Sequence, residues 1–457
     1  MVKKTRSIRE KINAFCAEFD QYIICKENDS KMLSQETMES YCMILRDELI
    51  PATGCTEPIA IAYAAATMRD ALGGMPERMR VAVSGNILKN AKSVVVPGTG
   101  GRKGIAAAAA AGVVAGDASR LLEVIASVTD AQREEIGAYL SETPITVDCK
   151  EGGLTLDITV TGERGQDSAS VRIAGAHTNI VHVEKNGTVS VDLPVVDAGS
   201  ETKAPEILNV RDIVEFADTV ALSKIEDVIL RQIELNMAIA ERGLTTSCGA
   251  NIGRVLLSGA DDLVTKARAY AAAGSDARMS GLEMPVAIVS GSGNQGITAS
   301  VPVVVWAREK GYSEEETIRA LIVSDLVTIH QKTGIGRLSA FCGAVCAGCG
   351  AGAGIAYLED GSYDAVAHTL VNALAIISGM VCDGAKASCA AKIATAVEAG
   401  ILGYRMYTQK QEFLSGDGIV VKGVDNTIRN VGRLAKDGMR GTESEILQIM
   451  LETETNA

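Results

Sequence analysis

With 457 residues, 47% of them apolar, the chain can bury one or two sizeable cores, and its length suggests about three domains of ordinary size. Aromatic residues make up only 4%, with Trp306 the single tryptophan, so Ala, Val, Ile, Leu and Gly must fill the interior. A formal net charge of −13 repels phosphate backbones and anionic membranes, which argues against nucleic acid and membrane surfaces as partners.

Along the chain, Met1 to Arg6 runs into charged, helix-periodic sequence and not into an apolar signal core, so a cytoplasmic location is expected. Residues 7–27 and 34–49 read as amphipathic helices, the second capped by Ser34 with Glu36 and Thr37 in its first turn. Pro51 ends that helix. The turn Ala52-Thr53-Gly54-Cys55-Thr56-Glu57-Pro58 opens another, with Pro58 in a first turn where its missing N–H is no loss.

Residues 80–200 differ. Arg80 to Val83 and 94–96 look strand-like, and an Ala-rich helix is predicted at 104–116. Alternating runs follow at 144–149, 154–161, 168–174, 179–185 and 188–193, separated by Gly, Asn or Asp turn signals. From about 205 onward the pattern is helical, with Gly-rich breaks expected near 243–253, 290–296, 334–336, 348–354 and 379–384. The uncharged run Met284 to Ala307 has membrane-spanning length, but Asn294, Gln295 and interleaved Gly and Ser argue for burial in protein. The predicted fold is mainly α, a helical catalytic body with an inserted α+β module. Its expected divisions are a helical segment (1–79), a mostly antiparallel module (80–200) and an all-α domain (201–457).

Eleven cysteines without an export signal point to a reducing compartment and to metal or catalytic thiols. Cys342, Cys382 and Cys389 are spaced C-x39-C-x6-C. Three thiolates leave one iron of a cubane without a protein ligand, as a Lewis-acid cluster requires. Asp383-Gly384 should place Cys382 on a loop, let Asp383 cap the next helix, and set Cys389 in its first turns. A helix N-terminus would favour the thiolate. The same thiols equally suit an Ala/Gly-rich core as inert packing residues, and spacing leaves both open. Cys342, Cys346 and Cys349 also spell C-x3-C-x2-C, the radical S-adenosylmethionine pattern. Their late, apolar, helical setting instead makes Cys346 and Cys349 packing residues.

The loop Ser290-Gly291-Ser292-Gly293-Asn294-Gln295-Gly296 precedes a Val- and Ala-rich helix, so its N–H groups offer a carboxylate site or simply make a tight turn. Cys55 beside a helix start is expected to carry a dipole-stabilised thiolate fit to act as a base or nucleophile, or else to fill the turn as a small buried residue. His330, Lys332 and Arg337 read either as substrate or cluster contacts or as ordinary helix-end charges. Asn86, Lys89 and Asn90 form a further polar set, and His177 and His182 lack a metal spacing.

Taken together, Gly54 to Pro58, Ser292 to Gly296, Gly336-Arg337-Leu338-Ser339 and the three-cysteine spacing resemble the L-cysteine desulfidase family, relatives of the iron–sulfur L-serine dehydratase α chain. The resemblance covers nearly the whole chain. It implies a [4Fe–4S] cluster on Cys342, Cys382 and Cys389, with one open iron. It also implies a substrate carboxylate on Ser292, Gly293, Asn294, Gln295 and Gly296, further substrate contacts from Thr56 and Glu57, and Cys55 as general base. The implied reaction turns L-cysteine into sulfide, pyruvate and ammonia. The x6 spacing is shorter than in serine dehydratases, which favours cysteine over serine. A homodimer is the default assembly. Rival readings are a pyridoxal-phosphate dehydratase with Lys103 as Schiff-base lysine, and a non-enzymatic structural metal site.

Overall fold

A computed structural model describes residues 33–150, 153–195, 207–336 and 338–455. The helix expected over 7–27 and the residue Arg337 lie outside these. Helix α1 (Gln35–Glu48) starts at Ser34, whose hydroxyl accepts the Thr37 N–H, as its sequence predicts. Strand β1 (Pro51–Thr53) leads into α2 (Thr56–Leu72), an almost wholly buried helix of Ala, Ile and Met.

The module that follows contains β2 (Arg78–Ser84), α3 (Gly85–Ala91), α4 (Gly104–Ala115) and α5 (Asp130–Glu142). Five strands come next: β3 (Ile145–Lys150), β4 (Asp157–Arg164), β5 (Asp167–Ala174), β6 (Ile180–Lys185) and β7 (Thr188–Asp192). They form one sheet in the order β3-β2-β4-β5-β6-β7, antiparallel except for the parallel β2–β3 pair. That pair is parallel because helices α3 to α5 carry the chain back across the sheet between its strands. Inward-facing Met79, Val81 and Val83 alternate with Arg78 and Arg80, and α2 packs over β4 and β5. The stretch 94–96 does not become a strand: Val95 makes a single bridge to Lys103 across the Pro97–Gly101 turn, which is too tight to extend into a ladder. Helix α5 has a capping box of Thr129 and Gln132, a start signal the sequence reading passed over.

The remainder is helical around one short strand. Helices α6 (Val210–Thr219), α7 (Glu226–Thr245), α8 (Ile252–Leu257) and α9 (Leu263–Met279) precede β8 (Pro285–Ala287), which pairs antiparallel with β1. Then come α10 (Gly293–Lys310), α11 (Glu314–Ile335), α12 (Gly343–Asp360), α13 (Tyr363–Ile377), α14 (Ser388–Thr408), α15 (Val424–Arg433) and α16 (Arg440–Thr455). The fold is therefore mainly α with an inserted α+β region. Among the described residues, no helix is long and apolar enough to cross a membrane.

Helix α12 sits at the centre, against α10, α11, α13 and α14, with every residue from Ala344 to Tyr357 buried. The break expected at 348–354 does not exist. Its glycines are there for contact: a Cβ on Gly348 would lie 2.4 Å from the Ala396 backbone, and one on Gly352 2.6 Å from Gly400. Close backbone approach to α14 offsets the helix-propensity cost of glycine, about 1 kcal/mol each.

Asp325 of α11 is fully buried; Gln232 of α7 donates to its Oδ1 at 2.9 Å, and its Oδ2 has no partner. Burial pushes its carboxyl up to about 7, only partly opposed by the Gln232 hydrogen bond. Between the ordinary carboxylate range and that value the folded chain binds the extra proton, so this contribution to stability falls as pH rises. Asp325→Asn keeps the acceptor and cannot ionise. Above pH 7 the variant should therefore exceed the parent in unfolding free energy, by at most about 4 kcal/mol, with the gap closing toward acid. Parallel pH–stability curves from denaturant titrations would contradict this origin.

Candidate active site

The two polar turns singled out in the sequence meet through β1 and β8. Pro51 faces Ala287 in that ribbon, and the Ile288 N–H donates to the Ile50 carbonyl at 3.0 Å. Buried Asn236 of α7 serves the other edge: its Oδ1 accepts the Ala287 N–H at 2.9 Å, and its Nδ2 donates to the Ala287 carbonyl and to Ser300 Oγ. Beyond the ribbon, the Thr56 hydroxyl donates to the Gly291 carbonyl at 3.0 Å and so ties the two turns together. Gly296 is a contact position, since a Cβ there would lie 1.9 Å from the Ala287 carbonyl oxygen.

Cys55 is the N-cap of α2, without a side-chain capping bond. Its Sγ donates to Glu57 Oε2 at 3.0 Å, while Asn90 Nδ2 donates to Glu57 Oε1 at 3.1 Å. The expectation of a dipole-stabilised thiolate at Cys55 is reversed. Burial, and then the Glu57 carboxylate, push the Cys55 thiol well above its ordinary value. Burial also pushes Glu57 up, but His177, the Cys55 thiol, its backbone hydrogen bond and Arg278 together hold it below the usual carboxylate range. The pair thus rests as thiol and carboxylate.

Cys342 is the N-cap of α12 and Cys389 lies in the first turn of α14. Between them, α12 and α13 form a hairpin that runs out and returns. The Cys342 N–H donates to the Met380 carbonyl at 3.1 Å and the Cys382 N–H to the Ala340 carbonyl at 2.6 Å, which sets the two cysteines side by side. Cys382 lies on the loop as predicted. Asp383 does not cap α14, whose N-cap is Ala387; it pairs with Lys386 at 2.6 Å and with Lys392, because the loop needs an anchor and both ammonium groups point back at it. Burial raises the Cys389 thiol, and burial and Cys382 raise that of Cys342 to about 12.

All of these converge. Cys55, Thr56, Glu57, Ser292, Asn294, Gln295, Cys342, Cys382 and Cys389 line one cavity of about 100 Å³. Gly293 and Gly296 do not line it, and act by letting neighbours approach. Among the described residues, no group of three or more His, Cys, Asp or Glu side chains is arranged to hold a single metal ion. Three thiols on one cavity are the donor chemistry of a larger cluster, whose ligands bind separate irons, and Lys332 and Lys392 lie close enough to offset thiolate charge.

Other candidates separate. Lys332 lines the cavity, whereas His330 faces away and meets Asp425 at 2.8 Å beside a different cavity. Lys89 is buried in an ion pair with Glu443, and Asn86 lines a neighbouring cavity. His182 pairs with Glu184 on the sheet, and Lys103 is exposed, outside the cavity. Cys346 and Cys349 are buried inside α12. Sequence reasoning missed Arg278, the lone cation of the small-residue stretch Ala269–Met279, and the approach of His177 to Glu57.

Comparison with known proteins places the chain among sequence relatives. Residues 118–448 match the model of the serine dehydratase alpha chain family. The chain is 55% identical to a UPF0597 protein of Desulfitobacterium hafniense over 90% of its own length and 96% of that protein's. It is 46% identical to a UPF0597 protein of Treponema denticola (92% and 99%) and 47% identical to one of Finegoldia magna (91% and 100%).

Because Asn236 satisfies both polar groups of buried Ala287, Asn236→Leu should cost about 2–5 kcal/mol of unfolding free energy, measurable by denaturant titration. A loss under about 0.5 kcal/mol, the range of a neutral substitution, would show that β8 holds its place without it.

Proposed function

The chain belongs to the serine dehydratase alpha chain family, and from that footing we propose that it is a β-eliminating lyase acting on a small amino acid, with L-cysteine the favoured substrate and a [4Fe–4S] cluster its cofactor. The observation that carries the reading is the meeting of three cysteines from separate segments with the Cys55–Glu57 pair and the glycine loop on one cavity.

In this reading Cys342, Cys382 and Cys389 hold the cluster. When bound, it supplies a Lewis acid that makes the β-substituent a better leaving group. The chain does the rest. The N–H groups at the start of α10 receive the substrate carboxylate, since Ser292 caps that helix without using its side chain. Asn294 and Gln295 orient the amino acid. Cys55 serves as base: its proton passes to Glu57 Oε2 along the existing hydrogen bond, and the thiolate then takes the Cα proton. Loss of the β-substituent gives sulfide and aminoacrylate, which tautomerises and hydrolyses to pyruvate and ammonia.

The family match alone supports L-serine, with water as leaving group, and the short x6 spacing supports L-cysteine. One anaerobic assay separates them, comparing pyruvate and sulfide from L-cysteine, D-cysteine and L-serine. L-cysteine should turn over fastest. Cys382→Ala and Cys389→Ala should lose iron and activity, whereas Cys346→Ala keeps its iron. Cys55→Ser should keep iron and lose most activity, by about 10²–10⁴-fold. Full turnover by iron-free protein would refute the scheme, and an unchanged Cys55→Ser rate would remove Cys55 from it.

A further inference from the structure

Arg278 closes α9 and is 2% exposed, yet its Nε has no hydrogen-bond partner. Among the described residues, no carboxylate pairs with its guanidinium. Glu57 is near enough to feel its charge, but the Glu57 oxygens are taken by Cys55 and Asn90. A buried guanidinium whose Nε has no acceptor is costly, which points to a partner that arrives from outside. Arg278 lines the same cavity as the glycine loop. A Cβ on Gly293 would lie 2.4 Å from Arg278 Nε, so the glycine lets the first residue of α10 sit directly against the guanidinium. The Oδ1 of Asn294 and the Oε1 of Gln295 are likewise buried without partners.

From these placements we infer that Arg278 is the substrate-carboxylate clamp, binding an α-carboxylate between its guanidinium and the N-terminus of α10 and so restricting the site to amino acids over simple amines or thiols. This rests on the proposed amino-acid site and names the residue that selects the ligand class. An arginine suits the task because its planar donors match both oxygens of a carboxylate, while a helix N-terminus by itself provides only a diffuse positive field. The carboxylate then neutralises a charge that the cavity already pays to bury.

The test is equilibrium binding to full-length, anaerobically purified protein by calorimetry. L-alanine serves as the probe because it carries the carboxylate and amine but no leaving group; ethylamine lacks the carboxylate. The parent should bind L-alanine and leave ethylamine undetected. Arg278→Gln should weaken L-alanine about 10- to 100-fold while keeping its iron content, with Arg278→Lys in between. Added guanidinium ion should partly restore L-alanine binding to Arg278→Ala, a rescue that a merely structural arginine would not show. Undiminished L-alanine affinity in a folded Arg278→Gln protein would overturn the assignment, and so would equal binding of ethylamine by the parent, a comparison that needs no variant to fold. Arg278-dependent L-alanine binding without any elimination would sink the proposed reaction and leave the clamp standing. Elimination with no dependence on Arg278 would do the reverse.

Discussion

Two backbone hydrogen bonds, joining residue 342 to 380 and 382 to 340, set the geometry on which the candidate site depends. They close a helical hairpin: α12 rises from Cys342 for about 27 Å, and α13 brings the chain back over about 22 Å. Once it is closed, two cysteines separated by 39 residues lie side by side. The short loop through Asp383 then delivers Cys389 at the head of α14. A long gap in sequence thus becomes a short distance in space without any long flexible connection.

The hairpin nests in the body because α12 presents almost no side-chain bulk. Gly348 and Gly352 face Ala396 and Gly400 of α14 at backbone contact, where no larger side chain would fit. The opposite wall of the cavity is held by different means, a two-strand ribbon pinned by a buried asparagine and cross-linked by Thr56. Packing fixes one side and polar satisfaction the other. Buried charges sit where the walls meet: Glu57 is held by two donors, Cys55 and Asn90, while Arg278 faces the cavity with its Nε unsatisfied.

Much of this was legible in the sequence. Alternation located β3 to β7 to within three residues, and Ser34, Pro58 and the alanine run fixed the starts of their helices. The Cys55 turn, the glycine loop and the three spaced cysteines were each visible, and the cavity gathers them. Three things were not. The glycines of 348–354 read as a break because local propensity cannot see a helix about to pack against them. Cys55 read as a thiolate because a helix dipole is visible in sequence, whereas burial and a neighbouring carboxylate two residues on are tertiary facts. Arg278 went unnoticed because a charge in the last turn of an alanine-rich helix looks like a solvated helix end, and only the fold reveals that it is buried against the cavity.

The central claim is that three thiols hold a cubane while a fourth corner stays open to the amino acid. Mössbauer spectroscopy of iron-57-enriched protein, purified without oxygen, tests it most directly. The account predicts that about a quarter of the iron signal shifts when L-cysteine is added, with the remainder unmoved. Protein devoid of iron, or a cluster whose every iron is indifferent to substrate, would contradict it.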